Sequence, residues 1–456
     1  MNYIMNGKIK AAFIGFGEIN IQKEIIEQKC KQAKSDLSKL DIDVISPDII
    51  NDDPKEISIK RAIDKLLTES FDFLIICIAG WIPSYPVIRI LEEFSYKPIL
   101  LWGLSGSYEN GRLMTTGAQA GTSAIRKIME DMNYNFKFIY NCPNLEPRIE
   151  EINKFAKASK TLNLLKHSKI GMMGFRDMNL YGTLYDGVSL KKKLGIEVEF
   201  FEMLEIIQKI TKLDKNEVSG IINKIKKEWV FKHPVSDDIL KKGVEFYLAI
   251  KEKIEERDYQ AISLIDVDGM KKLIKLPPAM VFMLLSDELE ICTVPENDTL
   301  GSVTQLIMKY LTGQIAAYME FYEFMEDRVL MGVPDYVPAE IVEGPVKVII
   351  TKFGNTSEGL LNISKVKTGR VTLCRLASKG DRYKMHILTG KAVEPREWRE
   401  IGWQHPVPQL PGLEIILDNT IEDFAEKVMS QHYIITYGDN KEVVKEFCKL
   451  AKIEII

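Results

Sequence analysis

The sequence predicts an α/β protein with two parallel-sheet domains followed by a mostly antiparallel β domain. Short apolar runs alternate with amphipathic helical segments up to about residue 140, and the alternation restarts after a helical linker, Glu146 to Leu165. Beyond Glu326, β-type runs follow one another between turns rich in Gly, Pro, Asn and Ser. Continuous apolar strands between helices indicate parallel sheets covered on both faces, whereas closely spaced strands indicate antiparallel pairing.

The first α/β domain is predicted over residues 1–165. Its buried strands are predicted at four apolar runs, Lys8–Gly15, Asp72–Ala79, Pro98–Leu104 and Phe136–Tyr140. Gly15 and Gly17 follow the first of them, but Asn20 occupies the position where a dinucleotide-binding fingerprint requires its third glycine. We therefore interpret this segment as a tight turn into a helix and predict no nucleotide cofactor.

The central α/β domain is predicted over residues 166–325, with strands at Lys169–Phe175, Ile196–Met203, Ala261–Val267 and Leu289–Val294. An amphipathic helix follows and stops at Thr312-Gly313, a helix-end signal. A further strand is predicted from Ile315 to Phe321. Two acidic residues, Glu296 and Glu320, are thereby predicted at the ends of strands, where open α/β sheets place their sites.

The third domain is predicted over residues 326–456 as an antiparallel barrel or sandwich. Its β-type runs are Val329–Val333, Val346–Phe353, Val371–Ala377, Tyr383–Thr389 and Leu413–Leu417. His432 then opens a last strand that runs to Thr436, and a helix follows from Lys441.

Composition excludes several functional classes. The net charge of −4 gives no electrostatic reason to expect nucleic acid or an anionic membrane as partner. The longest apolar runs are too short to cross a bilayer, and Met1 to Lys10 lacks the apolar core of a secretory signal. The six cysteines are isolated, without a C-x-x-C pair, which favours a reduced, cytoplasmic setting. No G-x-S-x-G elbow supports a serine hydrolase.

The two acids have two interpretations. Acidic residues at strand ends are often solvated loop charges. Glu320, however, lies between Met319 and Phe321 in an apolar run, and Glu296 follows Pro295 directly before a helix. A carboxylate in such surroundings needs a partner to offset its desolvation, and a hard divalent cation would supply one. Two carboxylates with one imidazole would suit Mn²⁺, Mg²⁺ or Fe²⁺.

Histidine is scarce, with five in the chain. His432 is predicted at a strand edge, where a lone histidine is either a hydrogen-bonded structural residue or a ligand. Residue type alone does not decide between these.

Three segments resemble the L-fucose/L-arabinose isomerase family. The first runs Glu296-Asn-Asp-x-x-Gly-Ser-x-Thr304 and continues to Glu320, and it is similar to the family's metal-site stretch. The second, His432 to Asp439, resembles the family's late histidine motif. The third, Gly171-Met-Met-Gly174 with Arg176, resembles the opening of the family's central domain. The resemblance implies two Rossmann-like parallel-sheet α/β domains followed by a mostly antiparallel β-barrel domain.

The resemblance also implies function. It suggests a metal-dependent aldose–ketose isomerase that acts on a pentose, deoxyhexose or related sugar by a cis-enediol(ate) mechanism. Mn²⁺ or another divalent cation would be bound by Glu296, Glu320 and His432, with the two glutamates also acting as acid and base. Trp81 and Trp403 are the expected sugar-binding aromatics, and a homo-oligomer, trimer or hexamer, is the expected assembly.

Two other classes stay open. One is a non-catalytic sugar-binding or regulatory homologue with the same fold, in which the carboxylates accept hydrogen bonds from sugar hydroxyls. The other is a nucleotide-dependent dehydrogenase, which the weak glycine pattern after the first strand disfavours.

Overall fold

The computed structural model describes residues 7–332, 337–353, 357–396 and 411–456. The chain forms two compact units, Met1–Asn163 and Leu164–Ile456. Each unit is described by itself below.

The N-terminal unit is built on a five-stranded parallel sheet of order β2-β1-β3-β4-β7. Its central strand β3 reads Phe-Leu-Ile-Ile-Cys-Ile and is buried throughout, as expected for a parallel strand covered by helices on both faces. A two-stranded hairpin, β5 and β6, lies outside this sheet. The strands are β1 (Ile9–Phe16), β2 (Ile42–Ile45), β3 (Phe73–Ile78), β4 (Ile99–Gly103), β5 (Ser107–Glu109), β6 (Arg112–Met114) and β7 (Phe136–Tyr140). The helices are α1 (Lys23–Leu37), α2 (Ile57–Leu67), α3 (Ser84–Phe94), α4 (Ala118–Asp131) and α5 (Ile149–Lys166), the last of which contains the boundary between the units.

The C-terminal unit begins with a four-stranded parallel sheet of order β12-β11-β8-β9. Its strands are β8 (Lys169–Met173), β9 (Glu197–Phe201), β11 (Ala261–Leu264) and β12 (Cys292–Val294). Its helices are α6 (Gly187–Leu194), α7 (Met203–Ile210), α8 (Lys215–Glu228), α9 (Asp237–Arg257), α10 (Ala279–Leu289) and α11 (Thr299–Thr312), with a π-helix at Asp266–Ile274. Helices α9 and α10 supply much of the apolar core beside this sheet.

A three-stranded sheet, β10-β15-β16, packs on the same core through Val348 and Leu360. Its strands are β10 (Val230–Phe231), β15 (Lys347–Phe353) and β16 (Ser357–Asn362). The run Val346–Phe353, predicted within the third domain, therefore pairs outside the barrel.

Six antiparallel strands form a closed barrel in the order β17-β20-β13-β14-β19-β18, because β17 also pairs with β18. Alternate residues such as Met319, Leu373 and Tyr433 fill its interior. The strands are β13 (Ala317–Phe324), β14 (Val329–Gly332), β17 (Gly369–Lys379), β18 (Arg382–Val393), β19 (Gly412–Leu417) and β20 (His432–Tyr437), with β21 (Glu454–Ile455) added beside β18. Two helices complete the unit, α12 (Ile421–Lys427) and α13 (Lys441–Leu450).

This architecture confirms the predicted fold class of two parallel α/β sheets followed by an antiparallel barrel. The three predicted domains, 1–165, 166–325 and 326–456, stay a prediction. One strand assignment was wrong: β13 carries Glu320 in the middle of a barrel strand, not at the end of a strand in the parallel sheet. Leu289 also ends a helix and does not open a strand. In the described ranges, no helix is both long and apolar enough to span a membrane.

Candidate active site beside the barrel and the parallel sheet

Glu296 lies just beyond the carboxyl end of β12. Both Glu296 and Asn297 adopt left-handed backbone conformations, with φ of 62° and 51°. The Glu296 amide donates a hydrogen bond to Asp266 Oδ1 at 2.8 Å, and the Asn297 side chain donates to the Met173 carbonyl at 2.9 Å. Non-glycine residues held in this region cost roughly 1–3 kcal/mol each, so the surrounding contacts must enforce the conformation. Such outliers cluster at functional sites.

Asp298 joins helix α11 to the barrel. Its side chain caps the helix by accepting from the Gly301 amide at 2.9 Å. It also accepts from the Tyr318 hydroxyl at 2.9 Å and from both terminal nitrogens of Arg375 on β17, with Nη2 at 3.0 Å. Burial opposes its ionisation, but the Arg375 charge outweighs burial, and the pKa of Asp298 is lowered. Asp298 is therefore an ionised anchor that fixes the loop containing Glu296 against the barrel.

His432 opens β20 and is 3% exposed. Its ring stacks on Tyr318, with centroids 4.4 Å apart. Its Nδ1 lies 3.8 Å from Glu296 Oε2, and its Nε2 has no hydrogen-bond partner among the described residues. Burial lowers the pKa of His432 to about 3, with the neighbouring Asp298 opposing and Arg375 reinforcing the shift. The imidazole is therefore neutral near pH 7, as a metal ligand must be.

Glu320 stands opposite His432 in the antiparallel register of β13 and β20. Directly opposed residues of such a pair point to the same face, with Cβ atoms about 4.5–5.5 Å apart. The neighbours Met319 and Tyr433 point the other way, into the barrel core. Glu320 is half-buried. The barrel register thus brings together two residues that are far apart in sequence, and His432 is also adjacent to Glu296.

Beneath Glu296 lies a group of buried charges that the sequence did not reveal as a site. Asp266 is fully buried and pairs with Lys271 Nζ at 3.0 Å. Burial raises the pKa of Asp266, but the Lys271 charge and hydrogen bonds outweigh it, and the net pKa is lowered. Beside it, burial and the Asp266 charge raise the pKa of Asp177 to about 7. Asp177 accepts hydrogen bonds from the amides of Val267 and Asp268, so this group rigidly supports the Glu296 amide.

The predicted metal ligands can be tested against this geometry. Among the described residues, no three His, Cys, Asp or Glu side chains are grouped closely enough to hold a metal ion as they stand. The donor chemistry nevertheless fits a hard divalent cation, because Glu296 and Glu320 flank a neutral imidazole whose buried Nε2 lacks a partner. Buried polar atoms without partners are rare, and an ion is one of the species that satisfies them.

Neither predicted sugar-binding aromatic belongs to the elements that form this site. Trp81 belongs to the N-terminal unit, where its backbone is hydrogen-bonded to Thr116 and Glu18. The residue is 41% exposed. Trp403 lies outside the described residues. Both assignments stay predictions.

Sequence reasoning missed Arg375, Tyr318 and Asp266. A charge inside the apolar run Val-Thr-Leu-Cys-Arg-Leu-Ala, as at Arg375, was an available signal, because a buried strand tolerates a cation only beside a partner. Asp266 similarly follows an apolar strand directly, at the edge where α/β sites form.

Two kinds of sugar isomerase are similar to this chain. Sulfoquinovose isomerase from Priestia aryabhattai is 21% identical over 379 residues, which cover 81% of this chain and 81% of that protein; the same holds for the protein from Priestia megaterium. L-arabinose isomerase from Shouchella clausii is 23% identical over 321 residues, covering 65% of this chain and 62% of that protein. No family model matches the sequence.

Among solved structures, a periplasmic solute-binding protein from Actinobacillus succinogenes with bound D-allose matches at 12% identity, covering 73% of this chain and 96% of that chain. Its TM-score of 0.18 is too low to indicate a shared fold. By sequence, this chain is thus similar to named sugar isomerases. The resemblance seen in the sequence is thereby confirmed.

Proposed function

We propose that this protein is an aldose–ketose isomerase that requires a divalent cation, Mn²⁺ or a similar ion, bound by Glu296, Glu320 and His432. The observation that carries the proposal is the buried, neutral His432 ring, whose Nε2 has no partner in the described part of the chain and which lies beside two carboxylates. The enzyme class is that of both named relatives, sulfoquinovose isomerase and L-arabinose isomerase. No nucleotide is required.

The cation would act as a Lewis acid that polarises the sugar carbonyl. Isomerisation of an aldose moves one proton from C2 to C1 and another from the C2 hydroxyl to the C1 oxygen, through a cis-enediolate. One carboxylate of the pair takes the C2 proton and returns it to C1, and the other handles the hydroxyl proton. A carboxylate suits both roles because it accepts a proton and releases it without leaving the site.

The residues around the pair keep it in place. Asp266 holds the Glu296 amide, and Asp298 with Arg375 fixes the following helix against β17. These buried contacts keep Glu296 close to His432, and the ladder between β13 and β20 fixes Glu320 opposite the same ring. Rigid placement of acid and base groups reduces the reorganisation that the reaction needs.

The substrate belongs, in this proposal, to the pentoses, deoxyhexoses or related sugars. The names of the relatives widen the panel to include L-arabinose and sulfoquinovose. We further propose a cytoplasmic homo-oligomer, trimer or hexamer, in which Trp81 and Trp403 contact the sugar.

The test is an isomerase assay of Mn²⁺-loaded protein with a panel of aldoses, scored for ketose. Glu320→Gln should lower kcat by at least about a hundredfold, because general acid–base groups contribute roughly 10²–10⁴-fold. The matched control is Glu323→Gln, which removes an exposed acid from the same strand β13 and should leave kcat unchanged. Equal activity in both variants would contradict the site assignment.

A non-catalytic sugar-binding homologue is the second outcome of the same assay. It would bind a panel sugar equally well with and without chelator and would form no ketose from any aldose.

A further inference from the structure

Two buried cysteines, Cys30 and Cys77, lie close together in the N-terminal unit, and neither belongs to the proposed metal site. Cys77 lies on β3, and its register partner on β1 is Gly15. Cys30 projects from α1 onto that glycine so closely that a Cβ added to Gly15 would lie 2.5 Å from Cys30 Sγ. Gly15 and Cys77 are register partners in the sheet, so Cys30 Sγ also lies close to the Cys77 thiol. The absence of a side chain at Gly15 makes this approach possible.

The Cys30 side of the pair faces a cavity of about 200 Å³. Its wall includes Gly15, Cys30 and Lys34, together with the loop 46–49 after β2. Glu27 and Asp48, which also line it, are exposed, so the cavity opens to solvent. The volume admits a small oxidant beside Cys30, whereas Cys77 lies behind it and is fully buried.

The electrostatic surroundings make the two thiols unequal. The neighbouring Cys77 thiol lowers the pKa of Cys30 despite burial, and the charges of Lys34 and Lys29 lower it further, whereas the Glu27 charge opposes them. Burial instead raises the pKa of Cys77 well above its usual range. A thiolate is the reactive form of cysteine, and nearby lysines favour it. Cys30 is therefore the nucleophile of the pair.

We propose that Cys30 and Cys77 form a redox-sensitive thiol pair that closes to a disulfide when Cys30 meets a hydroperoxide. The Cys30 sulfur attacks the peroxide, breaks its O–O bond and becomes a sulfenic acid, with release of water or an alcohol. The Cys77 thiol then attacks that sulfur, displaces its oxygen as water and forms the S–S bond. Two electrons pass from the two thiols to the peroxide, and both thiol protons leave in the products.

A second pair of cysteines in the same chain provides an internal control. Cys374 and Cys448 are close enough for the charge of one to affect the other, and both are fully buried. Burial raises the pKa of each, and no lysine is among the groups that shift them. Because neither thiol of this pair is activated, we expect peroxide to leave Cys374 and Cys448 reduced.

The experiment treats the full-length protein with hydrogen peroxide, blocks the remaining thiols and maps peptides by mass spectrometry without reductant. We expect a cross-linked peptide joining Cys30 to Cys77, lighter by two hydrogens, and loss of two of the six thiols. Without peroxide, iodoacetamide should label Cys30 at least about tenfold faster than Cys374 near pH 7, because its thiolate fraction is larger. Equal labelling rates, or six intact thiols after peroxide, would overturn the proposal.

Two variants separate the roles. In Cys77→Ala, peroxide should produce a sulfenic acid at Cys30 that dimedone traps and that does not close to a disulfide. Lys34→Gln, a change at a half-buried position, should slow iodoacetamide labelling of Cys30 several-fold and leave that of Cys374 unchanged. Should Cys77→Ala fail to fold, the Lys34→Gln rates decide: no slowing contradicts an activated Cys30.

Discussion

The two units of this molecule treat buried polarity differently. The N-terminal unit contains none of the five histidines and builds its sheet from strands such as β3, in which every residue is apolar or a thiol. Its buried carboxylates include Asp36 and Asp72. The C-terminal unit buries several ionisable side chains, including Asp266, Lys271, Asp298, Arg375 and His432. Burying a charge is costly unless it is paired. The cost of burying charge therefore falls mainly on the C-terminal unit, and the buried ionisable side chains there surround Glu296.

Two buried carboxylates of the C-terminal unit have a buried countercharge, whereas His432 Nε2 has no such partner among the residues described. Asp298 has Arg375, and Asp266 has Lys271. His432 Nε2 lacks a hydrogen-bond partner in the ranges that the structure describes. An ion at this position would complete the pattern, which is the central claim of the proposed function.

The largest expected effect comes from breaking a buried pair. Arg375→Met should destabilise the C-terminal unit by about 3–5 kcal/mol, because Asp298 would be left buried without a countercharge. Urea unfolding followed by hydrogen exchange of peptides from both units measures this loss. Exchange protection in β1 and β3 of the N-terminal unit should not change.

The matched control for this variant is Arg370→Met on the same strand. Arg370 is paired with Asp418 and Asp439 but is about two-fifths exposed. An exposed pair contributes about 0–1 kcal/mol, so this variant should be much milder. Similar losses in both variants would contradict the role assigned to burial.

The stability of the barrel should depend on pH through the titration of His386. Its Nδ1 lies 2.7 Å from the Tyr433 hydroxyl, and burial, with a contribution from Lys427, lowers its pKa to about 4. The unfolded chain takes up this proton near pH 6.5 and the folded chain only near 4. The contribution of neutral His386 to the unfolding free energy is therefore fully present above pH 6.5 and is lost as the pH falls towards 4.

His386→Phe removes this dependence. The difference in unfolding free energy between wild type and variant should shrink by roughly 2 kcal/mol between about pH 7.5 and about pH 4.5, at 1.36 kcal/mol per pKa unit. Urea titrations at both pH values measure it. A difference that stays constant or grows on acidification would show that His386 is not held neutral.

The smallest expected change in stability is at Trp81. Trp81→Ala should alter the unfolding free energy by less than about 1 kcal/mol, because the side chain is partly exposed. It should instead raise the KM for the sugar and leave Mn²⁺ affinity unchanged, if Trp81 contacts the substrate. Tyr96→Ala, also exposed in the same unit, is the control and should change neither. An unchanged KM in Trp81→Ala would remove Trp81 from the site.

The sequence predicted most strands within a few residues, because buried parallel strands are continuous apolar runs whose short length and flanking turn residues distinguish them from helices. It could not predict which sheet β13 joins. The sheet that β13 joins depends on its pairing with β20, which is distant in the chain. The local periodicity of the sequence does not indicate that partner. The consequence was the wrong strand context for Glu320.

The candidate site shows the same limit. Glu296 follows a strand, so its position at the sheet edge could be anticipated. The supporting group of Asp266, Lys271 and Asp177 could not, since it depends on a π-helix and on contacts between separate loops. The pair of Arg375 and Asp298 likewise depends on the packing of the barrel beside α11, which the local sequence does not indicate.

The most direct test of the central claim is the metal content of purified protein after loading with Mn²⁺ and removal of free ion. We expect one tightly held Mn²⁺ per chain in wild type and in Glu323→Gln, and a loss of most of it in Glu296→Gln and in His432→Ala. Unchanged Mn²⁺ in both of these site variants, with the protein folded by circular dichroism, would contradict a metal site at Glu296 and His432.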